Sequence, residues 1–333
     1  MDELRATSAW FYVYSIMPMF FALSGFLIAA SAQRLNLSNF LLNRGLRIVP
    51  ALVVEICISA LVIGPIFTAV SYREYFSSPV FWHYFTNIVG WIQYKLPGVF
   101  ISLPSAGVVN QSLWTIPFEI GCYVLISLVI VFRLAGRLWL IISLAAALLI
   151  LPVIAQAVGF VGVDGKTAST AMNYLLFTRG AVLFPSFLLG AIAYFLRYHI
   201  PASTSGLVCC IVFCSIVSIV GRDEWKEYYL LNLISIPALA YLTVLIGIIP
   251  MPRVPLYSKG DYSYGVYLYG YPLQQTLVSL FPKLNSWLPF FTASMIVATV
   301  WAAISWHVIE KPILMQRKKF SFVGRRIAAT EQK

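Results

Sequence analysis

The stretch SLWTIPFE, Ser112 to Glu119, leads into an apolar run, Ile116 to Val131, that has the composition of a membrane-spanning helix. An α-helix needs about 20 mostly apolar residues to cross the hydrocarbon core of a bilayer. Glu119 is a carboxylate one turn into this run, and an ionisable group in or near a membrane helix is costly. The stretch therefore predicts a membrane protein and, at Glu119, a functional residue.

The composition of the 333-residue chain is that of a polytopic membrane protein. Hydrophobic residues make up 60% of it, charged residues only 11%, and the mean hydropathy is +0.84. Long apolar runs recur, whereas a transmembrane β-barrel is built of short alternating segments, so we predict an all-α membrane bundle. About nine transmembrane helices are expected, at Trp10–Ser31, Ile48–Val70, Ser112–Phe132, Leu138–Phe160, Gly180–Leu196, Gly206–Val220, Tyr229–Ile249, Tyr262–Leu280 and Trp287–Val308.

The runs leave no room for a separate soluble domain. We predict a single integral-membrane domain, 1–312, followed by a basic cytoplasmic tail, 313–333. The segment Val80–Phe100 is expected not to span, because it carries polar residues and a proline at Lys95, Pro97, His83 and Asn87.

The distribution of basic residues predicts the orientation. Most of the 23 Lys and Arg residues fall on the side that holds the C-terminus, which places that side in the cytoplasm. The net charge of +11 reflects this bias and the attraction of the tail to anionic lipid. Membrane lipids are expected partners, and nucleic acid is not.

Four polar motifs interrupt the apolar pattern. Arg44 and Arg47 are three residues apart, so they share a helix face and can bind phosphate, although a role as membrane anchors is equally open. In the opening stretch, Ser112, Trp114 and Tyr123 accompany Glu119, with Tyr123 one turn beyond it on the same face. Glu119 is predicted to be a general base, an acceptor of hydrogen bonds from sugar hydroxyls, or the partner of a buried arginine.

The other two motifs lie near the C-terminus. Tyr264, Tyr267 and Tyr271 form a hydroxyl stripe on one helix face, and Gln274 and Gln275 extend it towards a polar cavity. At the end of the last run, His307 and Glu310 can pair at i, i+3, in either a capping or a catalytic role. For Glu55, eight residues after Arg47, we expect a structural role, and for the small residues Ala22, Ser24 and Gly25 a close helix approach.

Five segments, in this order, resemble the integral-membrane acyltransferase family 3, which includes bacterial O-acetyltransferases of exopolysaccharides, O-antigens and nodulation factors. They are FFALSGFLI (Phe20–Ile28), the R-x-x-R-I-x-P run (Arg44–Pro50), NQSLWTIPFEI (Asn110–Ile120), DYSYGVYLYGYP (Asp261–Pro272) and IEKP (Ile309–Pro312). The order and the spread over nearly the whole chain make the resemblance specific.

The resemblance implies a bundle of about ten helices that moves an acyl group, usually acetyl from acetyl-CoA, to a carbohydrate hydroxyl. Acyl-CoA and a polysaccharide or lipid-linked oligosaccharide would be substrates, with no bound cofactor and no metal. Glu119 would act on or orient the acceptor, far from the CoA phosphates at the cytoplasmic face. Substrate contacts are expected from Arg44, Arg47, Ser112, Trp114, Tyr123, Ser263, Tyr264, Tyr267 and Glu310.

The chain departs from the family at its start. The family's first helix carries an Arg followed about eleven residues later by a His thought to be catalytic. Here the residue eleven positions after Arg5 is Ile16, and the first histidine is His83. We therefore expect that this form lacks the family's first helix and has little or no activity. An inactive partner subunit and a polysaccharide or lipid-carrier transporter are the alternative functions.

Overall fold

A computed structural model of the chain describes residues 10–158, 179–201, 203–220, 225–249, 260–283 and 286–317. Within these ranges the regular structure is helical, and pairing between extended segments is limited to two isolated β-bridges. The main helices are α1 (Trp10–Ala32), α2 (Leu37–Ile58), α3 (Ile116–Val131), α4 (Leu138–Ala157), α5 (Arg179–Phe195), α6 (Thr204–Val220), α7 (Trp225–Ile248), α8 (Ser263–Leu280) and α9 (Trp287–Ser305). The predicted all-α polytopic membrane fold is confirmed.

Each of the nine predicted runs overlaps one of these helices. In the described ranges, six helical stretches are long and apolar enough to cross a bilayer: Trp10–Ala32, Leu37–Phe67, Gln111–Val131, Leu138–Ala155, Leu231–Ile248 and Trp287–Met315. Helices α5 and α6 are apolar but have only 17 residues each. The number of nine spans stays a prediction. The opening residues 2–6 and most of the tail predicted at 313–333 lie outside the described residues.

The second helix begins eleven residues earlier than predicted. It starts at Leu37 and continues through a π turn, Ser59–Ile63, to Phe67. Hydropathy favoured a start at Ile48 because the preceding residues include polar ones, but the hydrogen bonds of a helix run between backbone groups whatever the side chains are. Arg44 and Arg47 therefore lie within the helix rather than ahead of it.

The segment after this helix is folded but does not span, as predicted. It contains two short helices, Tyr72–Ser77 and Pro79–Tyr84, and a 3₁₀ turn at Phe85–Val89. Asn87 is fully buried there, and its side-chain amide donates to the carbonyls of Tyr84 and Gln93 and accepts from the Gln93 amide. This side chain replaces the backbone partners that a regular helix or strand would supply.

The chain divides into two compact units. The first consists of Met1–Leu37 and Ile120–Met251, and the second of Ser38–Glu119 and Pro252–Lys333. The single domain predicted for 1–312 stays a prediction.

In the first unit, α1 packs closely on α5. A Cβ atom added to Gly25 would meet the carbonyl of Phe187, and one added to Gly190 would meet the carbonyl of Ala22. The two glycines thus let the helix backbones touch, which confirms the close approach predicted from the small residues in Phe20–Ile28. Trp10 is buried against α6, where its indole N–H donates to the Ser218 carbonyl at 3.0 Å.

In the second unit, α8 packs on α9, and Gly265 allows contact with Ala302. Two π turns interrupt the helices in the described part of this unit, at Ser59–Ile63 and at Trp306–Glu310. In each, the residue before a proline donates its amide five residues back, from Gly64 to Ser59 and from Lys311 to Trp306. Pro65 and Pro312 cannot donate, and a proline ring crowds the carbonyl four residues earlier, so the helix widens at both places.

Replacing Gly190 by alanine tests the contact between α1 and α5. Because the new Cβ would overlap the Ala22 backbone, we expect G190A to lower the free energy of unfolding by about 1–3 kcal/mol. Thermal unfolding in detergent measures the loss. As a control, G247A places its Cβ 3.9 Å from a Leu23 methyl group and should not destabilise the protein. Equal effects of the two substitutions would contradict the packing.

Candidate functional site

A buried carboxylate on α2, Glu55, forms the first part of the site in the second unit. It is 1% exposed, and its Oε1 accepts hydrogen bonds from Ser59 Oγ at 2.7 Å and from Asn110 Nδ2 at 2.9 Å. Its Oε2 is buried and has no hydrogen-bond partner among the described residues. Ser59, the donor nearer to Glu55 in the sequence, is the first residue of the π turn.

Asn110 connects Glu55 to two further segments. Its amide nitrogen also donates to the Leu268 carbonyl on α8 at 2.9 Å, and its side-chain oxygen accepts from the Ser112 amide at 2.9 Å. It therefore caps the 3₁₀ turn Gln111–Thr115, which leads directly into α3. One fully buried side chain thus fixes the start of the motif that contains Glu119.

Tyr267 on α8 holds the same turn from the other side. Its hydroxyl donates to the Ser112 carbonyl at 2.7 Å, so its 2.9 Å contact with Thr115 uses the threonine proton. Thr115 Oγ1 is 3.5 Å from Glu119 Oε1, which is too long for a strong hydrogen bond. The Glu119 carboxylate, 9% exposed, is therefore only loosely held by its neighbour.

Arg47 interacts electrostatically with three carboxylates. Its Nη2 forms an ion pair with Asp261 Oδ2 at 2.5 Å, and the positive charge also acts on Glu119 and Glu310. The side chains of Arg47 and Asp261 are 27% and 46% exposed, so this pair forms the accessible edge of the cluster. We call Arg47, Glu119, Asp261 and Glu310 the arginine–carboxylate cluster.

Asp261 precedes α8 and lies outside the spanning segments. Burial by itself would raise the pKa of this carboxyl group. The hydrogen bond from Ser263, 2.6 Å long, and the charge of Arg47 outweigh burial and lower the pKa below its ordinary value. Asp261 is therefore ionised at neutral pH, and Ser263 positions it for Arg47.

Glu310 is the most deeply buried member of the cluster, at 1% exposure. Its Oε1 accepts from Ser305 Oγ at 3.1 Å, and its Oε2 has no hydrogen-bond partner in the described parts of the chain. Ser305 also lies 3.4 Å from the Tyr269 hydroxyl, which donates to the Ala51 carbonyl on α2. Like Glu55, Glu310 is paired with a serine beside a π turn and retains a second oxygen that can accept a hydrogen bond.

Two predictions about positions are wrong. Glu119 was expected to lie far from the cytoplasmic face where Arg44 and Arg47 would meet the CoA phosphates, but the charge of Arg47 acts on it. The early start of α2 places Arg47 inside the helix, next to Ile48, whose carbonyl accepts from Tyr264 on α8. One turn along α8, Tyr267 donates to the Ser112 carbonyl in the turn before Glu119. The predicted His307–Glu310 pair is also absent, because the π turn leaves His307 exposed and Glu310 buried. His307 instead contacts the Tyr262 hydroxyl at 3.2 Å.

The tyrosine stripe is present, and its hydroxyl groups have protein partners. Tyr264 donates to the Ile48 carbonyl at 3.3 Å, Tyr267 donates to Ser112, and Tyr271 accepts from Gln275 at 3.4 Å. Gln275 also donates to the Val108 carbonyl. The stripe therefore joins α8 to α2 and to the segment before α3.

The remaining predicted residues lie at the edges of the site. Trp114 is half-buried and packs edge-on against Phe118, with ring centroids 5.8 Å apart. Arg44 is half-buried one turn before Arg47, and Tyr123 is half-buried one turn after Glu119. The roles assigned to all these residues stay predictions.

The structural role expected for Glu55 stays a prediction. Asn110 and Tyr269 lie in quoted motifs but were not singled out as site residues, and Ser305 was missed. The available signal was a polar side chain within or beside an apolar run, which is expected to be paired when buried. Ser59 and Glu55 also have the i, i+4 spacing of a helical pair.

The profile of acyltransferase family 3, described as an acyltransferase domain, matches residues 5–307. The chain belongs to this acyltransferase family. The resemblance inferred from the five motifs is thereby confirmed.

Two relatives match this acyltransferase along most of their length. It is 27% identical over 310 residues, 89% of this chain and 83% of the relative, to the O-acetyl transferase of Shigella phage Sf6. It is 25% identical over 348 aligned positions, 98% of this chain and 89% of the relative, to Nodulation protein 10 of Rhizobium leguminosarum bv. viciae. No solved structure matches it significantly.

Removing the Asn110 side chain should destabilise the acyltransferase. N110A leaves the Leu268 carbonyl and the Ser112 amide without this partner, and we expect a loss of about 2–4 kcal/mol because both groups are buried or partly buried. Chemical or thermal unfolding of the purified protein measures it. The neighbouring exposed Gln111 is the control, and Q111A should change stability by less than about 0.5 kcal/mol.

The lowered pKa of Asp261 makes stability depend on acid pH. Its carboxylate stabilises the folded state above the pKa of the unfolded chain, and that contribution is lost as the pH falls through the folded-state pKa. We expect the thermal midpoint of the wild-type acyltransferase to fall more steeply below about pH 4 than that of D261N. Melting curves from pH 7 to pH 3 compare them, and parallel curves would rule out the contribution.

Proposed function

We propose that this membrane acyltransferase moves an acetyl group from acetyl-CoA to a hydroxyl of a bacterial surface or exopolysaccharide sugar. It would act in the inner membrane with its C-terminus in the cytoplasm. The observation that carries the proposal is the arginine–carboxylate cluster, which unites the arginine, NQSLWTIPFEI, DYSYG and IEKP motifs in one place. Charged groups within an apolar helical domain point to a functional site.

The cluster offers complementary chemistry for the two substrates. Arg47, with Arg44 one turn away, would bind the phosphates of the anionic donor, since guanidinium groups bind phosphate in a bidentate manner. Glu119 and the second carboxylate oxygen of Glu310, which is buried, are acceptors that suit the hydroxyl groups of a sugar. Asp261 lies at the exposed edge of the cluster, and the arriving phosphate would replace it as the partner of Arg47.

Acyl transfer then needs a proton acceptor beside the hydroxyl. The acceptor oxygen forms a bond to the thioester carbonyl carbon, the carbon–sulfur bond breaks, and CoA leaves as the thiolate. In our proposal the hydroxyl proton passes to Glu119, which is held loosely enough by Thr115 to accept it, and then to the thiolate. Ser112, Trp114, Tyr264 and Tyr267, all in the second unit, shape the acceptor side around Glu119.

The name of the phage relative supports the chemistry, since it is an O-acetyl transferase. The alternatives differ in what they require. An inactive subunit would co-purify with an active homologue and show no transfer alone, and a transporter would move polysaccharide without any dependence on acetyl-CoA.

Transfer of labelled acetyl from acetyl-CoA to host polysaccharide, in membranes that contain the protein, tests the proposal against the expectation of little or no activity that follows from the absent family histidine. If the wild-type chain transfers acetyl, its variants test the roles of the residues. We expect E119Q to lower kcat by about 10²–10⁴-fold, because it removes the proton acceptor. R47K should raise the KM for acetyl-CoA about tenfold or more, because lysine cannot replace the bidentate contact.

Matched controls are available on exposed positions of the same chain. E74Q and R34Q remove the same charges from side chains that are exposed, and both should leave the rate and the KM unchanged. Acetylation that proceeds at the wild-type rate in E119Q would exclude this role for Glu119, and polymer movement independent of acetyl-CoA would exclude the enzyme.

A further inference from the structure

The first unit contains a cavity of about 170 Å³ that belongs to none of the motifs. Helices α5 and α7 and the turn after α5 form its walls, with Leu189, Ile192, Ala240 and Leu245 among the lining residues. An apolar cavity of about 150 Å³ is large enough to take up benzene, so this one has room for part of a hydrocarbon chain. No residue of the arginine–carboxylate cluster contributes to it.

Arg197 is the cation of this cavity. Its Nη1 donates to the Tyr194 carbonyl at 2.8 Å and its Nη2 to the Tyr198 hydroxyl at 3.4 Å. The guanidinium carbon lies 4.3 Å from the centre of the Tyr194 ring and 4.4 Å from that of Tyr198. Two cation–π contacts thus hold the charge in one place at the cavity.

The polar groups at the cavity define the chemistry of a ligand. Of the described residues that line it, only Arg197 and Tyr241 have polar side chains, and the Tyr241 hydroxyl already donates to the Pro201 carbonyl at 2.8 Å. Arginine has five N–H donors, and Arg197 uses two of them within the described chain. The site therefore presents apolar walls, N–H donors of one cation, and no carboxylate. This combination fits a hydrocarbon chain with an anionic head.

We propose that the cavity binds one acyl chain of an anionic phospholipid, with the lipid phosphate on Arg197. A phospholipid fits because Arg197 follows the fifth of the nine predicted runs, Gly180–Leu196, and so falls on the predicted cytoplasmic side, where anionic lipids accumulate. The guanidinium remains charged and can bind the phosphate while both tyrosine rings stay in contact with it. The site is separate from acyl transfer and would stand if the proposed reaction were wrong.

Native mass spectrometry of the full chain in neutral detergent tests the site. Phosphatidylglycerol and phosphatidylcholine with identical chains are added in turn, and bound lipid is counted. We expect the anionic lipid to bind about tenfold more tightly, the effect of roughly one charge-assisted hydrogen bond. R197Q should abolish the preference, R197K should keep part of it, and A193L, which fills the cavity, should weaken both lipids.

The controls separate this site from general attraction to the membrane. R137Q removes an exposed arginine of the same unit and should leave the preference intact. Equal binding of the two lipids to the wild type, or an unchanged preference in R197Q, would overturn the proposal. Displacement of phosphatidylglycerol by equimolar polyprenyl phosphate or acetyl-CoA would also overturn it, because the ligand would then not be a phospholipid. R197K retains the charge and should keep part of the preference. If both Arg197 variants lose the preference completely, the loss comes from altered folding, and that result also rejects the proposal.

Discussion

Polar atoms buried in an apolar helical protein have no water to bind, and each one left without a partner raises the free energy of the folded state. The second unit meets this constraint with side chains from distant segments. In the π turn the Gly64 amide donates to the Ser59 carbonyl, and Pro65 has no amide proton. The Ala60 carbonyl therefore has no donor within its own helix. The Tyr75 hydroxyl donates to it at 2.7 Å, and Gly64 is small enough to let that hydroxyl approach.

The same constraint explains why the polar motifs gather in one place. Asn110 and Glu55 are 55 residues apart in the chain, and Arg47 and Asp261 are 214 apart, yet each side chain is the other's partner. A buried charge needs an opposite charge or several hydrogen bonds, so motifs that would each be unstable alone stabilise one another when they meet. A site built in this way has its geometry fixed before any substrate binds.

This arrangement also shows what the sequence could and could not predict. Apolar runs predicted the helical elements, and small residues in Phe20–Ile28 predicted the contact with α5, since both signals are local. Long-range pairs such as Arg47–Asp261 carry no spacing signal. The early start of α2 was missed because hydropathy measures the preference of side chains for lipid, whereas a helix continues as long as its backbone bonds do.

The π turns were the least predictable feature, and the position of Glu310 depends on one of them. A π turn adds one residue to a helix, and one residue corresponds to a rotation of about 100° around the helix axis. If Trp306–Glu310 were a regular α-helix, every residue after the turn would move to a different face, and Glu310 would turn away from Ser305. The proline in Glu310-Lys311-Pro312 is therefore part of the site although it carries no polar group, because it imposes the wider turn that directs the carboxylate into the cluster.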